Sequence, residues 1–433
     1  MKILLVNAYK NAGYFSRLRA KFFIPTLSLL QIASCTPEKH QVKIVNEWYE
    51  KVDFEEECDL VGISAFTSDA FRAYEIADEF RKRGVKVVIG GYHATAMPEE
   101  AKEHADAVVI GEAENSWKVL LDDFEKGELK QFYGWKKVEG SDIPPAKRSV
   151  DKLNSFSSAI QATRGCPYRC EFCQLTAFND NIHRKRRIED VVREFSSLPT
   201  RIVWFHDASL TINPSYSKNL FKKIIENKIR KKWIAFGNMQ ILSKEIELLR
   251  LAEKAGCVAW MVGIESISQK TIDEEIKKRG NIVEKIPKMI EKIQKEGMMV
   301  WGSFIFGFDN DTPEIFDTTL EAILQWGIDL AQFNILVPYP GTPVFKKMLN
   351  EGRILTFDWS KYDMVHAVFE PKGMSFKELE EGVKRLYIKF YSMDKIARRF
   401  FNTKGTMNKF LNLFSNLNAR NLWNFYFNQK NNL

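Results

Sequence analysis

The stretch Thr163-Arg164-Gly165-Cys166-Pro167-Tyr168-Arg169-Cys170-Glu171-Phe172-Cys173 constrains this chain more than any other. Its three thiols are separated by three and then two residues. That spacing is too short for a disulfide framework, and no second ligand pair follows where a structural zinc site needs one. Three thiolates in one tight loop can instead hold three irons of a 4Fe-4S cluster and leave the fourth iron open to a reactant. A zinc loop or three unrelated thiols is the alternative. No His or Cys follows Cys173 at finger spacing, which weighs against it.

The loop needs a rigid carrier, and the surrounding pattern supplies one. Ser157–Thr163 reads as a strand that delivers the cysteines at its carboxyl end, and further strands are expected at Arg201–Phe205, Trp233–Phe236, Val258–Ile264, Met298–Phe306 and Leu330–Val337. Helices separate them: one capped by Ser243 with Ile246, Leu249 and Ala252, and one with Ile282, Ile286, Met289, Ile290 and Ile293 that stops at Gly297. Six β/α units make a partial version of the eightfold barrel, with reactive groups at the carboxyl ends of its strands.

A second alternation precedes it. Strands are expected at Lys2–Val6, Val42–Val45, Leu60–Ser64, Val85–Ile89 and Ala107–Ile110. Between them lie helical patterns, one with Phe71, Tyr74, Ala77 and Phe80 on one side and one with Trp117, Leu120, Leu121 and Phe124. This implies a doubly wound, flavodoxin-like parallel sheet with ligands at the strand carboxyl ends. Those ends carry Asn7, Ser64, Thr67, Gly90, Gly91, His93, Gly111 and Glu112, and the small residues among them let backbone approach a ligand closely. The expected division is 1–138 for this domain, 139–157 for a linker around Gly140–Pro145, 158–345 for the barrel and 346–433 for a mostly helical remainder.

The C-x3-C-x2-C loop, with Phe172 just before the last cysteine, resembles the signature of the radical S-adenosylmethionine (SAM) superfamily. The resemblance implies that the open iron chelates SAM and that an electron from the cluster cleaves it to a 5′-deoxyadenosyl radical. It also implies that Asp207 holds the SAM amino group, that Glu265 beside Ser266 contacts SAM, and that Gly302, Phe304 and Ile305 pack the adenine. Tyr339, in Pro338-Tyr339-Pro340-Gly341, reads as a wall residue of the same cavity or a proton donor. Lys185 and Arg186 read as a solvated charge run or as partners of an anionic group of SAM. The runs Gly90–Pro98 and Ile110–Glu114 resemble the cobalamin-binding domain that precedes the SAM domain in one large subfamily. A domain that binds nothing is the alternative. No Asp-x-His-x-x-Gly motif is present, so the resemblance implies cobalamin without a protein histidine on cobalt, with His93 at the cofactor's edge. The order of the later segments, up to about Arg399, resembles the enzymes that modify hopanoid lipids and bacteriochlorophylls. The implied reaction is methyl transfer to an unactivated carbon of a hydrophobic, lipid-like substrate, with ring closure, carbon–carbon coupling or a cobalamin- or redox-sensing role as alternatives. A ferredoxin or flavodoxin is the implied electron donor, and a deep cavity joining the two sheets is expected.

Composition narrows the setting. With 45% hydrophobic and 28% charged residues over 433 positions the chain is globular, and no stretch reaches the roughly eighteen apolar residues of a membrane span. Six cysteines, three of them in one loop, suit a reducing cytoplasm. The first residues read as a strand and not as a signal peptide. A net charge of +8 does not by itself indicate nucleic acid, and none is expected as a partner. Near the end, Phe410, Leu413, Phe414 and Leu417 sit at helical spacing, followed by Trp423, Phe425, Tyr426 and Phe427. The segment reads as an amphipathic element resting on the inner membrane face or covering a greasy substrate, or as a helix packed on the barrel.

Overall fold

Apolar runs too short for helices, with helix caps between them, give two parallel sheets in sequence. The computed structural model describes residues 1–10, 26–134, 137–150, 156–178, 181–278, 281–403 and 405–430. Part of the expected linker, 151–155, lies outside these.

The first sheet contains β1 (Lys2–Asn7), β2 (Gln41–Asn46), β3 (Leu60–Ser64), β4 (Lys86–Gly90), β5 (Ala107–Ile110) and β6 (Phe132–Gly134). All pair in parallel in the order β2-β1-β3-β4-β5-β6. The strand order turns between β1 and β3, which creates a crevice beyond their carboxyl ends. Alternate side chains bury against helices on both faces. Leu4, Val6, Val61 and Ile63 pack with Tyr74, Ile76, Ala77 and Phe80, and Ile3, Leu5 and Leu60 pack with Trp117, Leu120 and Leu121. The last strand was not expected, because only three residues pair and no periodicity can build over that length. Phe71 is 41% exposed, and Ala73 and Ile76 take its expected place in the core.

The second sheet contains β7 (Ser157–Ile160), β10 (Ile202–Phe205), β11 (Lys232–Gly237), β12 (Cys257–Glu265), β13 (Met299–Phe306) and β14 (Leu330–Ile335), paired in that order and all parallel. The sheet is open between β14 and β7, as a six-unit partial barrel requires. Val203, Phe205, Trp233, Trp260, Val262, Val300, Phe304 and Phe333 face the helices. By alternation, Trp204, Phe236, Met261, Trp301, Ser303, Ile305 and Asn334 face the lumen. Ser243 does not cap the helix Ile246–Lys254; it sits inside the preceding helix Met239–Lys244, whose cap is Asn238. The Asn238 carboxamide oxygen accepts from the amides of Gln240 and Ile241, while the helix Ile246–Lys254 begins after Glu245 without a side-chain cap bond.

Three C-terminal helices, Phe376–Phe390, Met393–Asn402 and Thr406–Lys430, close the β14 side. The first begins in a capping box formed by Ser375 and Glu378. The Tyr387 hydroxyl accepts from the amide of Phe333, and the Tyr391 hydroxyl donates to the carbonyl of Ala331, so this helix is tied to β14.

Candidate active site

The expected strand Ser157–Thr163 is two elements. After β7, Thr163–Arg164 (β8) pairs antiparallel with Arg184–Lys185 (β9), in the register Thr163↔Lys185 and Arg164↔Arg184. The cysteine loop is therefore held at both ends by a two-stranded ribbon. Within it the amide of Cys173 donates to the carbonyl of Cys170 at 3.1 Å, and the Thr176 hydroxyl donates to the same oxygen at 3.2 Å. Phe172 packs edge-on to Phe308 at 6.3 Å, which pins the loop to the end of β13. Tyr168 accepts from the Asn238 amide at 3.1 Å on the β11 side.

The three thiols are half-buried and electrostatically coupled to one another, and burial pushes Cys170 up to about 12. Among the described residues no three His, Cys, Asp or Glu side chains converge closely enough to hold one metal ion. A cubane cluster does not need such convergence, because each thiolate binds a different iron. Three thiols presented by one loop thus fit a 4Fe-4S cluster.

Beside the loop, β12 is irregular. Its pairing with β13 shifts register between Gly263 and Glu265, and Glu265 has φ 69°. The shift folds the Glu265 carboxylate back over Gly263, where it meets the Lys278 ammonium at 2.8 Å; that ammonium also donates to the Gly263 carbonyl. A Cβ on residue 263 would lie 2.1 Å from the Glu265 carboxylate, so only glycine leaves room for this pair. Glu265 and Lys278 both act electrostatically on Cys170, so they belong to the cluster-loop site. Lys278 was missed in the sequence because its nearest neighbours give no motif. Ser266 is turned inward to its own turn, where its hydroxyl accepts from the amide of Ser268.

Other expected contacts lie elsewhere. Asp207 is 1% exposed, and its carboxylate accepts from the amides of Ala162 and Thr163 and from the Thr163 hydroxyl. Through these bonds it clamps the strand that feeds the loop. Gly302 and Phe304 face the helix layer, with Phe304 at 0% exposure, while Ser303 and Ile305 take the inner side. Tyr339 packs against the core of the first sheet, a wall position, and burial raises its phenol. Lys185 and Arg187 are exposed, as a solvated run requires, whereas Arg186 is buried against Glu194 and Arg184 against Glu112.

The first sheet presents its row of carboxyl ends in register: Asn46, Asn7, Ser64 and Gly90 are successive partners. The row carries nothing larger than asparagine, and the Asn7 amide donates to Asn46 at 3.2 Å. Gly91 follows with φ 103°, and a Cβ there would lie 2.8 Å from the Ala65 carbonyl oxygen, so this turn requires glycine. Such a cradle of small residues at a switch point fits a large cofactor laid across it. Gly111 sits at φ 84° with its amide bonded to the Thr95 hydroxyl. His93 is 2% exposed and packs between Tyr74 and Trp359 with Glu100 at 3.3 Å, so it is a core residue and not an edge contact. Glu112 is likewise withdrawn, bound to Arg184 at 2.7 and 2.5 Å.

The two halves meet at the cysteine loop. The Gln174 amide donates to the Thr67 hydroxyl at 3.3 Å, Tyr92 lies 4.5 Å from Phe178, and Arg164 pairs with Glu114 at 2.6 Å. A cavity of about 740 Å³ lies between Tyr74, Met97, Phe345 and Trp359.

The family description "Radical SAM superfamily" matches residues 160–323, and "B12 binding domain" matches 17–121. The chain is 33% identical over 421 residues to the bacteriochlorophyllide d C-8(2)-methyltransferase of Chlorobaculum tepidum, covering 88% of this chain and 89% of that one. The chain belongs to the radical SAM superfamily, in its B12-binding branch. As such it takes a 4Fe-4S cluster, SAM and cobalamin. The hopanoid C-2 methylase of Rhodopseudomonas palustris is 24% identical over 351 residues, covering 78% of this chain and 66% of that one. The solved structure of OxsB, a cobalamin-dependent SAM radical enzyme with aqua-cobalamin and SAM bound, shares this radical SAM fold with a TM-score of 0.69 at 13% identity, covering 98% of this chain and 72% of that chain.

Burial holds the Asp207 carboxyl up to about 6, against the opposing bonds from Thr163 and Ala162. The folded chain therefore binds this proton more tightly than the unfolded one, so protonation stabilises the fold as pH falls from about 6 towards 4. It also removes an acceptor from the Thr163 clamp. SAM cleavage is expected to fall below about pH 6 while thermal stability does not, and an Asp207→Asn variant should lose this acid limb in a pH–rate profile.

Proposed function

We propose that this chain transfers a methyl group to an unactivated carbon of a hydrophobic small molecule. The observation that carries the reading is the seating of the three-thiol loop against the carboxyl end of the first sheet, through Gln174 to Thr67 and Tyr92 to Phe178. In this reading residues 1–138 hold the corrin, 139–157 join the halves, 158–345 hold the cluster and SAM, and 346–433 close the barrel edge. When bound, the three cofactors together supply an electron, a hydrogen-abstracting radical and a methyl donor.

The chain's own residues position these groups. Cys166, Cys170 and Cys173 ligate the cluster, and Asp207 sets their loop through Thr163. Glu265 and Lys278 present one negative and one positive group beside the loop, suited to the amino and carboxylate groups of SAM. Asn7, Ser64, Gly90 and Gly91 border the corrin. Trp204 and Trp301, edge to face at 6.0 Å, line the lumen with Phe236, Met261 and Ile305, an apolar wall that excludes water from a reactive carbon. Ser303, Gln332 and Asn334 form a short polar band that can orient it.

The relatives named above are a bacteriochlorophyllide methyltransferase and a hopanoid methylase, which supports a lipid or tetrapyrrole substrate. A small reduced ferredoxin or flavodoxin completes the reading as electron donor, with the chain in the cytoplasm at the inner membrane face. The test is anaerobic reconstitution with methyl-labelled SAM, reductant and lipid or pigment extract in detergent. Label in an extractable product supports methyl transfer. Deoxyadenosine without label transfer would overturn it in favour of a non-methylating radical reaction.

A further inference from the structure

Positive charge is not spread evenly along this chain. Residues 393–433 contain seven Lys or Arg against one acidic residue, Asp394, so they carry +6 of the net +8. The same segment exposes large aromatic side chains. On the helix Met393–Asn402, residues Met393, Ala397 and Phe401 recur every four positions and all are exposed, Phe401 at 72%. On the helix Thr406–Lys430, Phe410 is 65% exposed and stacks on Phe414 at 6.5 Å. The two helices are linked near this surface by the Lys409 ammonium, which sits 5.8 Å from the Phe400 ring.

The opposite faces of the same helices are spent on the barrel. Arg399 donates to the Asn416 side chain at 2.6 Å and lies 4.0 Å over Phe390, Asn412 reaches Asp329 at 3.2 Å, and Trp423 stacks on Tyr387 at 3.8 Å. The reading of this segment as a helix packed on the barrel therefore holds for this face. One face packs, and the other presents phenylalanines flanked by Arg398, Lys409 and Lys395. No helix among the described residues is long and apolar enough to cross a membrane.

We propose that this outer face is a docking surface for an anionic lipid bilayer. Met393, Phe401, Phe410 and Phe414 enter the acyl boundary, and Arg398 and Lys409 meet lipid phosphates. Charge complementarity favours this occupant: shallow aromatic insertion alone binds weakly, and basic residues beside it confine binding to anionic headgroups. The inference rests on the proposed reading only in giving the membrane a purpose, the supply of a hydrophobic substrate to the lumen.

The test is co-sedimentation of the reconstituted full chain with phosphatidylcholine vesicles with and without phosphatidylglycerol. The full chain is expected to bind the anionic vesicles, and the binding is expected to weaken as salt rises. Phe401→Ser with Phe410→Ser should lower the partition coefficient at least about ten-fold, and Arg398→Glu with Lys409→Glu should lower it similarly and abolish the salt dependence. Both variants should keep the cluster absorbance and SAM cleavage, since neither pair touches the cysteine loop. Absence of vesicle binding by the full chain, unchanged binding by both double variants, or tighter binding to DNA than to vesicles would overturn the proposal. Methyl transfer in detergent is measured separately, so a failure of docking and a failure of the methyl-transfer reading give different results.

Discussion

Replacing Cys170 with Ala is expected to abolish cluster assembly, with the iron-dependent absorbance lost and SAM cleavage lowered by at least about 100-fold. Each of the three thiolates would hold its own iron, so the loop has no spare ligand. Cys166 and Cys173 lie at the two shoulders of the turn, and the Cys170 carbonyl is the point to which Cys173 and Thr176 are tied. Burial holds the Cys170 thiol at about 12 when no metal is bound, and nearby Lys278 only partly offsets this. A bound iron must supply the missing stabilisation of the thiolate, so thiolate formation and metal binding are coupled. Two thiolates cannot hold a cubane with a single open iron. The other cysteines provide the control. Burial pushes Cys35 and Cys58 to about 11 without a neighbouring thiol to share a metal. Cys58→Ala should therefore leave iron content and SAM cleavage unchanged. Unaltered iron content in Cys170→Ala would refute the cluster assignment.

The two sheets were legible because each strand of the repeat carries its own signal. Ala107–Ile110 and Leu60–Ser64 were placed to the residue, since apolar runs of this length flanked by Gly, Asp or Asn leave few alternatives. The cysteine loop was legible because its spacing is a local property. What failed to be legible depends on partners far along the chain. Glu112 was read as a ligand contact from its place after Gly111, yet Arg184, 72 residues later, claims it. The Asp207 carboxylate accepts from Thr163, 44 residues earlier, a bond that no local pattern announces. His93 was placed on a loop edge, but Trp359, more than two hundred residues away, covers it. A strand end shows which residues can face a cofactor, and the long-range partner decides which of them do.

Phe304 illustrates a smaller error of the same kind. The expected strand Met298–Phe306 is observed as Met299–Phe306, but which of its residues face inward is not legible in the sequence. Alternation gives two faces, and the sequence Trp-Gly-Ser-Phe-Ile-Phe is apolar on both. Only the packing of Phe304 against Phe333 at 5.9 Å resolves the choice and turns Trp301, Ser303 and Ile305 inward. Lys278 was invisible for the complementary reason: it reaches the cluster loop only because β12 shifts register and folds Glu265 towards it.

The second large effect concerns how the halves are held. Glu112→Leu is expected to destabilise the fold by about 3–5 kcal/mol, because it removes the carboxylate from a buried ion pair. The two side chains are only 5% and 6% exposed, and Arg184 also donates to the carbonyl of Val138 at 2.6 Å. Burial opposes ionisation of Glu112, but the bonds from Arg184 outweigh it and hold the carboxyl below its ordinary range. A depressed carboxyl stabilises the fold above the unfolded value and loses that contribution as pH falls through the folded one. The pair should therefore be intact at neutral pH and fail only in acid, below about pH 4.5. In the double variant Glu112→Leu with Arg184→Leu no charge is stranded, and most of the lost stability should return in a thermal melt. Function should not return with it. Arg184 sits on β9, whose partner β8 opens into the cysteine loop, so the pair sets the register of that loop against the first sheet. The double variant is expected to cleave SAM while transferring less methyl per deoxyadenosine formed. Recovery of both stability and that ratio would show that Arg164 and Glu114, at 2.6 Å, suffice to align the two halves.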